Sequence, residues 1–101
     1  MDARITISEP ARRDLILLGK GYAEISPELA DRILHRVRQK IDLLGQFPEL
    51  GRERPEFSLP GLQSVATKPH VIFYSAPDTN SIIVHRIVDG RRDLAAMFAN
   101  E

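Results

Sequence analysis

Cysteine and tryptophan are absent from this 101-residue chain. Without cysteine there is no disulfide and no thiolate to bind a metal or attack a substrate, so nothing favours an oxidising compartment. The histidines His35, His70 and His85 stand too far apart in sequence for a compact ligand motif. We therefore expect no metal and no cofactor.

Long apolar runs and a surplus of either charge are also missing. Lysine and arginine number 14, as do aspartate and glutamate, so the formal net charge is zero. Proteins that grip nucleic acid usually carry a basic surplus, so we expect no direct sequence-specific nucleic-acid binding. Residues 1–8 lack the apolar run of a signal peptide, and no stretch approaches about 18 apolar residues. We expect a cytoplasmic protein that does not contact membranes.

The N-terminal half predicts a strand followed by two helices. Arg4 to Ile7 alternate polar and apolar residues, which is typical of a short strand. Ser8-Glu9-Pro10 and Ser26-Pro27-Glu28 each predict a helix start, because a serine hydroxyl caps free N–H groups and proline fits the first turn. The first helix should end near Tyr22, after an apolar face of Leu15, Leu18 and Tyr22. The second should carry the stripe Ala30, Ile33, Leu34, Val37, Ile41 and Leu44 and end at Gly45 to Pro48.

The C-terminal half predicts strands. Residues 48–60 hold three prolines and indicate a loop, and 63–68, 70–74 and 81–88 indicate strands. Residues 76–80 favour a turn, and 92–98 a short helical turn. The order is β-α-α-β-β-β: an N-terminal strand and an antiparallel helical hairpin packed on an antiparallel sheet. This is an α+β fold in a single domain over residues 1–101.

Several blocks resemble the ParE/RelE toxin superfamily of type II toxin–antitoxin pairs. They occur in the family's order and cover nearly the whole chain. The blocks are Ser8 to Leu15, Ile41 to Arg52, Leu59 to Ser64, His70 to Tyr74 and Ile87 to Asp93. The resemblance implies a toxin bound and neutralised by a cognate, ParD-like antitoxin in a hetero-oligomer. RelE-like members cut messenger RNA on the ribosome, whereas ParE-like members poison DNA gyrase by binding it.

The nuclease branch implies charged groups that this chain lacks. Carried over by position, its two lysines fall near Leu62 and Ser64, its middle-strand arginine at Val71 and its C-terminal tyrosine at Phe98. Only its second arginine is retained, as Arg92. Proton transfer and phosphate stabilisation need those charges and that hydroxyl. We therefore expect a ParE-like, non-enzymatic inhibitor of DNA gyrase.

Two alternatives remain open. One is a ribosome-dependent, RelE-type endoribonuclease using Lys68, His70 and Arg92. The other is a toxin-fold protein that has lost toxicity and persists as a partner-binding module.

The resemblance and the helix pattern together suggest two sets of binding residues. The target-binding candidates are Arg86, Arg91, Arg92 and Phe98. The antitoxin-binding candidates are Leu15, Leu18, Tyr22, Leu34 and Arg38. The alternative for Arg86 is a structural ion pair with Asp89, Asp93 or a helix carboxylate, and the alternative for Arg91 and Arg92 is solvation.

Overall fold

The computed structural model describes residues 2–91, in seven elements of secondary structure. In chain order they are β1 (Arg4–Ile7), α1 (Glu9–Ala23), α2 (Pro27–Gln46), β2 (Arg52–Glu53), β3 (Gln63–Thr67), β4 (His70–Asp78) and β5 (Ser81–Asp89). The predicted order of strand, helical hairpin and strands is confirmed. The helical turn predicted over 92–98 lies outside the described residues.

The strands form one five-stranded sheet in the order β1-β5-β4-β3-β2. Neighbours from β2 to β5 are antiparallel, as predicted. β1 instead joins β5 in parallel, with Arg4 opposite Ser81, so the sheet is mixed. Parallel neighbours need a long connection, and here the whole of α1 to β4 supplies it. The short strand β2 is a further difference, because it lies inside the segment predicted as a loop.

Both helices begin at the serine–proline signals of the sequence. The Ser8 hydroxyl accepts a hydrogen bond from the Ala11 N–H at 3.2 Å, and the Ser26 hydroxyl accepts one from the Leu29 N–H at 3.2 Å. Each cap satisfies an N–H group that the first helical turn leaves without a partner. Within residues 2–91, neither helix combines the length and the apolarity needed to cross a membrane.

Apolar side chains are buried on both faces of the sheet, because successive strand residues point to opposite sides. The helix-face cluster, between the helices and the sheet, is built on Val37, Ile41, Leu44, Ile72, Tyr74, Ile82, Val84 and Ile87. A smaller second-face cluster lies on the other side and consists of Leu62, Phe73 and Val88, with Phe57, Leu59 and Val71 packed against them. Burying one such side chain stabilises the fold by about 1.5–3 kcal/mol.

Tyr74 fixes the segment after α2 against the sheet. Its buried hydroxyl donates to the Pro48 carbonyl oxygen at 2.8 Å and accepts from the Gly51 N–H at 2.8 Å. A β-carbon on Gly51 would lie 2.5 Å from the Ser64 carbonyl oxygen and 2.7 Å from the Tyr74 hydroxyl oxygen, so only glycine permits this approach. The contact brings the chain beside β3, and β2 begins at the next residue.

Replacing Tyr74 with phenylalanine is expected to lower the free energy of unfolding by about 1–2 kcal/mol, because the Gly51 N–H loses its partner. Urea denaturation of wild type and variant measures the difference. Tyr22→Phe is the matched control, since the Tyr22 hydroxyl makes no hydrogen bond within the described part of the chain, and it should change stability by less than about 0.5 kcal/mol. Equal effects of the two variants would contradict the prediction.

Candidate functional site

A groove runs between α1 and α2, beside β1, with a volume of about 930 Å³. We call it the helical groove. Its apolar lining consists of Ile5, Ile7, Leu15, Ile16, Leu34, Val37 and Ile41. Its polar lining includes Lys20, Asp31, His35, Arg38 and Asp42. A concave apolar surface with a few charged groups suits the apolar side chains of a binding partner.

Three of the five predicted antitoxin-binding residues, Leu15, Leu34 and Arg38, line the helical groove. Leu18 does not line the groove, although like Leu15 it packs against the helix-face cluster. Tyr22 lies beyond the groove, where it contacts the ring of His70. The groove therefore contains predicted residues from the middle of α1 and the middle of α2. Tyr22, at the end of α1, is not part of it.

Sequence reasoning missed the groove residues Ile5, Ile7 and Ile16. Ile16 is half exposed, although it is a large apolar residue. One signal for it exists: residues 15–18 are four apolar residues in a row, which is too wide for a single buried stripe on a helix. The contribution of β1 depends on its pairing with β5, which the local pattern does not reveal.

Arg86 is held by a carboxylate of α1. Its Nε and Nη2 donate to the two carboxylate oxygens of Asp14 at 2.8 and 3.1 Å. The same carboxylate accepts from the Ile87 N–H at 2.9 Å. β1 pairs with β5 only as far as Val84, so Asp14 partners the backbone edge of β5 just beyond the end of β1. Of the structural ion pairs considered for Arg86, the structure shows the one with a helix carboxylate, Asp14.

The end of β5 meets the start of β4 and the end of α1 at a terminal corner formed by Tyr22, His70, Asp89 and Arg91. The His70 ring is edge-on to Tyr22 with centroids 5.8 Å apart, and only 7 % of the residue is exposed. Its Nδ1 has no hydrogen-bond partner within residues 2–91, and burial lowers its pKa. Arg91 donates from Nε to Asp89 at 2.9 Å, and its hydrogen bonds hold the pKa of Asp89 well below the usual value.

Acid is expected to destabilise the fold through His70. Because the folded chain lowers this pKa below its ordinary value of 6.5, the neutral ring is favoured when folded and the unfolded chain takes up the proton first. The stabilisation is complete above about pH 6.5 and is lost as the pH falls through the folded-state pKa. Chemical denaturation at about pH 7.5 and about pH 5.5 should show a smaller loss for His70→Phe than for wild type. His35→Phe, at an exposed site, should keep the full loss, and an unchanged loss in His70→Phe would count against the prediction.

Residues 54–62 form a strap over the second face of the sheet. The Arg54 guanidinium lies 5.0 Å from the ring centroid of Phe57 and 5.5 Å from that of Phe73. It also donates to the Ser64 hydroxyl at 2.8 Å and pairs with Glu56. Phe57 meets Phe73 edge-on at 5.6 Å. The second-face cluster is thus covered by a segment of the same chain.

Comparison with known proteins decides the family. The sequence model described as the ParE toxin of type II toxin-antitoxin system, parDE, matches residues 5–94. The chain belongs to the ParE toxin family. A comparison with curated protein sequences found no match.

Solved structures of low identity share the fold of this ParE-family toxin. The chromosomal ParDE toxin–antitoxin system from P. aeruginosa superposes with a TM-score of 0.71 at 21 % identity, covering 86 % of this chain and 95 % of that chain. The RelBE2 toxin–antitoxin complex from Mycobacterium tuberculosis gives 0.67 at 21 %, covering 88 % and 92 %. A mutant of the E. coli toxin RelE in the free state gives 0.68 at 12 %, covering 99 % and 96 %. Both branches of the superfamily therefore share this fold, and the residues must separate them.

In this ParE-family toxin, three positions matched to the nuclease branch lie at the second-face cluster. Leu62 is 2 % exposed and Ser64 is 6 % exposed, and Val71 packs against the cluster. The Ser64 hydroxyl already accepts from Arg54. Each of these positions thus holds a side chain engaged in packing or in an internal hydrogen bond. Arg92 and Phe98 lie outside the described residues.

Lys68 and His70, the two described members of the alternative nuclease set, do not share one accessible surface. Lys68 is exposed at the turn between β3 and β4. His70 is buried against Tyr22 of α1. A general base must reach the proton it abstracts, directly or through one water, and this histidine is covered by α1.

Proposed function

We propose that this ParE-family toxin acts without catalysis, by binding DNA gyrase, and that a ParD-like antitoxin neutralises it in the cytoplasm. The observation that carries the proposal is the second face of the sheet. Where the nuclease branch has lysines and an arginine, this chain has Leu62, Ser64 and Val71, and the strap covers the cluster beside them.

Ribose 2′-hydroxyl attack on phosphate needs a group that takes the proton and cations that stabilise the growing charge. Leu62 and Val71 supply neither, and the Ser64 hydroxyl is occupied by Arg54. Arg54 is a cation at this face, but its guanidinium is held by Phe57, Phe73, Ser64 and Glu56. Protein binding explains a toxin with such a surface better than RNA cleavage does.

For the target, we assign the end of β5 and the residues that follow it. Arg91 is exposed beside Asp89 and stands at this end. Arg92 and Phe98 follow it in sequence and complete the proposed contact. Arg86 joins α1 to β5 through Asp14, so we give it the role of positioning this end rather than the first contact. Exposed arginines are common anchors in protein–protein interfaces.

For the antitoxin, we assign the helical groove and the neighbouring edge of β1. A helix laid in the groove would bury its apolar face against Leu15, Ile16 and Leu34. β1 is an edge strand of the sheet and also lines the groove, so an extended segment of the same antitoxin can add to it. The names of the P. aeruginosa ParDE system and the M. tuberculosis RelBE2 complex record a toxin with its antitoxin, which supports this assignment.

Brief induction of this chain without antitoxin, followed by separate pulse labels for DNA and protein synthesis, tests the proposal. We expect DNA synthesis to fall first, together with a DNA-damage response. A first fall in protein synthesis, with message cleaved on purified ribosomes, would instead establish the RelE-type activity. No effect on either label would identify a toxin fold that has lost toxicity.

A further inference from the structure

Three charged residues of α2 follow one another along the rim of the helical groove. Asp31, Arg38 and Asp42 all line it, and their signs alternate. They are seven and four residues apart, which at about 1.5 Å per residue separates them by about 10 and about 6 Å along the helix. We call these three residues the charged rim.

The charged rim is not neutralised by the rest of the described chain. Arg38 and Asp42 are one helical turn apart and of opposite sign, yet they form no ion pair, and neither does Asp31. None of the three makes a side-chain hydrogen bond within residues 2–91. All three are exposed. Their charges are therefore available to whatever occupies the groove.

We infer that the charged rim selects the occupant of the groove: an amphipathic helix of a partner protein whose flank carries a cation, an anion and a cation in matching order. The inference rests on the proposed docking of the antitoxin in this groove and adds which antitoxin segments fit. The apolar lining provides affinity for any amphipathic helix, whereas the charged rim distinguishes among them.

Other occupants fit the charges poorly. Nucleic acid would bring phosphates against Asp31 and Asp42 at the two ends of the charged rim. A second copy of α2 laid antiparallel in the groove brings at most two of the three rim charges opposite unlike charges, because α2 itself carries the order anion–cation–anion. A protein helix with the order cation–anion–cation meets all three and covers the apolar lining.

The uneven spacing gives the selection a direction. A bound helix whose charges match the seven-residue interval and then the four-residue interval in one orientation no longer matches them when the helix is reversed. Its two cations still meet Asp31 and Asp42, but its anion then lies about 4.5 Å from Arg38 along the helix, which weakens that attraction. The charged rim therefore favours one polarity of the bound helix as well as its composition.

Two synthetic helical peptides test the inference. Both carry leucines at the spacing of one helix face, and charges elsewhere in each peptide give them the same net charge. On the flank of the leucine face, the first peptide has lysine, glutamate and lysine. The second has glutamate, lysine and glutamate there. Fluorescence anisotropy with the full-length toxin should show about tenfold tighter binding of the first peptide. The triple variant Asp31→Lys, Arg38→Glu, Asp42→Lys should reverse the preference.

Arg36→Glu is the matched control, because Arg36 is an exposed cation of the same helix that lies outside the groove. It should keep the wild-type preference, and circular dichroism should show all variants folded. Equal binding of the two peptides, an unchanged preference in the triple variant, or no binding of either peptide would overturn the inference. If the toxin keeps the wild-type preference but does not lower DNA synthesis, gyrase is rejected as the target. The inference about the charged rim still holds in that case.

Discussion

Replacing Asp14 with alanine is expected to lower the free energy of unfolding by about 3 kcal/mol. The substitution removes both hydrogen bonds to Arg86 and the one from the Ile87 N–H. The side chains of Arg86 and Asp14 are only 21 % and 13 % exposed, so water replaces the lost partner poorly. Global stabilities lie at about 5–15 kcal/mol, and the variant should melt well below wild type.

Glu9→Ala is the matched control for this prediction. Glu9 also lies on α1 and pairs with an arginine, but both side chains of that pair are 67 % exposed. Exposed pairs of this kind contribute little, and the control should change stability by less than about 0.5 kcal/mol. Urea denaturation of the three proteins distinguishes the cases. An Asp14→Ala variant as stable as Glu9→Ala would show that the link between α1 and β5 contributes nothing.

Replacing Ile16 with aspartate is expected to weaken antitoxin binding by about 100-fold, or about 2.7 kcal/mol, with little loss of stability. Ile16 lines the helical groove and is 50 % exposed in the free toxin. A docked helix would bury the new carboxylate against apolar side chains without a partner charge. Isothermal titration of purified toxin with its antitoxin measures the loss, and co-expression should no longer protect cells.

The neighbouring variant Leu17→Asp provides the control. Leu17 is 68 % exposed on the same helix, and it does not line the groove. The change in charge is the same, so Leu17→Asp should bind antitoxin within about threefold of wild type. Comparable weakening by both variants would mean that the antitoxin binds elsewhere on α1.

Local signals in the sequence predicted most of the fold. The serine caps at Ser8 and Ser26 act between residues three apart, so a short window contains the whole interaction. The hairpin of β4 and β5 likewise follows from two apolar runs on either side of turn residues, although β4 extends to Asp78, into the residues predicted as the turn. These elements were predicted correctly because their causes are close together in the chain.

The remaining features depend on distant partners. Asp14 and Arg86 are 72 residues apart, and no local pattern indicates which helix carboxylate the arginine meets. β2 forms because the Tyr74 hydroxyl holds Gly51, 23 residues away, beside the sheet. The parallel pairing of β1 is equally remote, since alternation predicts a strand without its neighbour.

Only part of each candidate surface could be predicted from the sequence, because the rest again depends on residues distant in the chain. Helical periodicity predicts Leu15 and Leu34, which face each other across the groove within one hairpin. Periodicity alone does not separate them from Leu18, which packs against the helix-face cluster without lining the groove. The strap was not predicted, because Arg54 and Phe57 stand in a segment with the composition of a loop. Their contacts with Phe73 exist only in the folded chain.

The parallel pairing of β1 also bears on when, during synthesis, the helical groove is completed. Arg4 to Ile7 leave the ribosome early, but their partners, Ser81 to Val84, are among the last described residues to be made. Ile5 and Ile7 therefore take their places in the groove only after β5 has been made. A nascent chain that has not yet reached β5 therefore offers no finished groove to a partner.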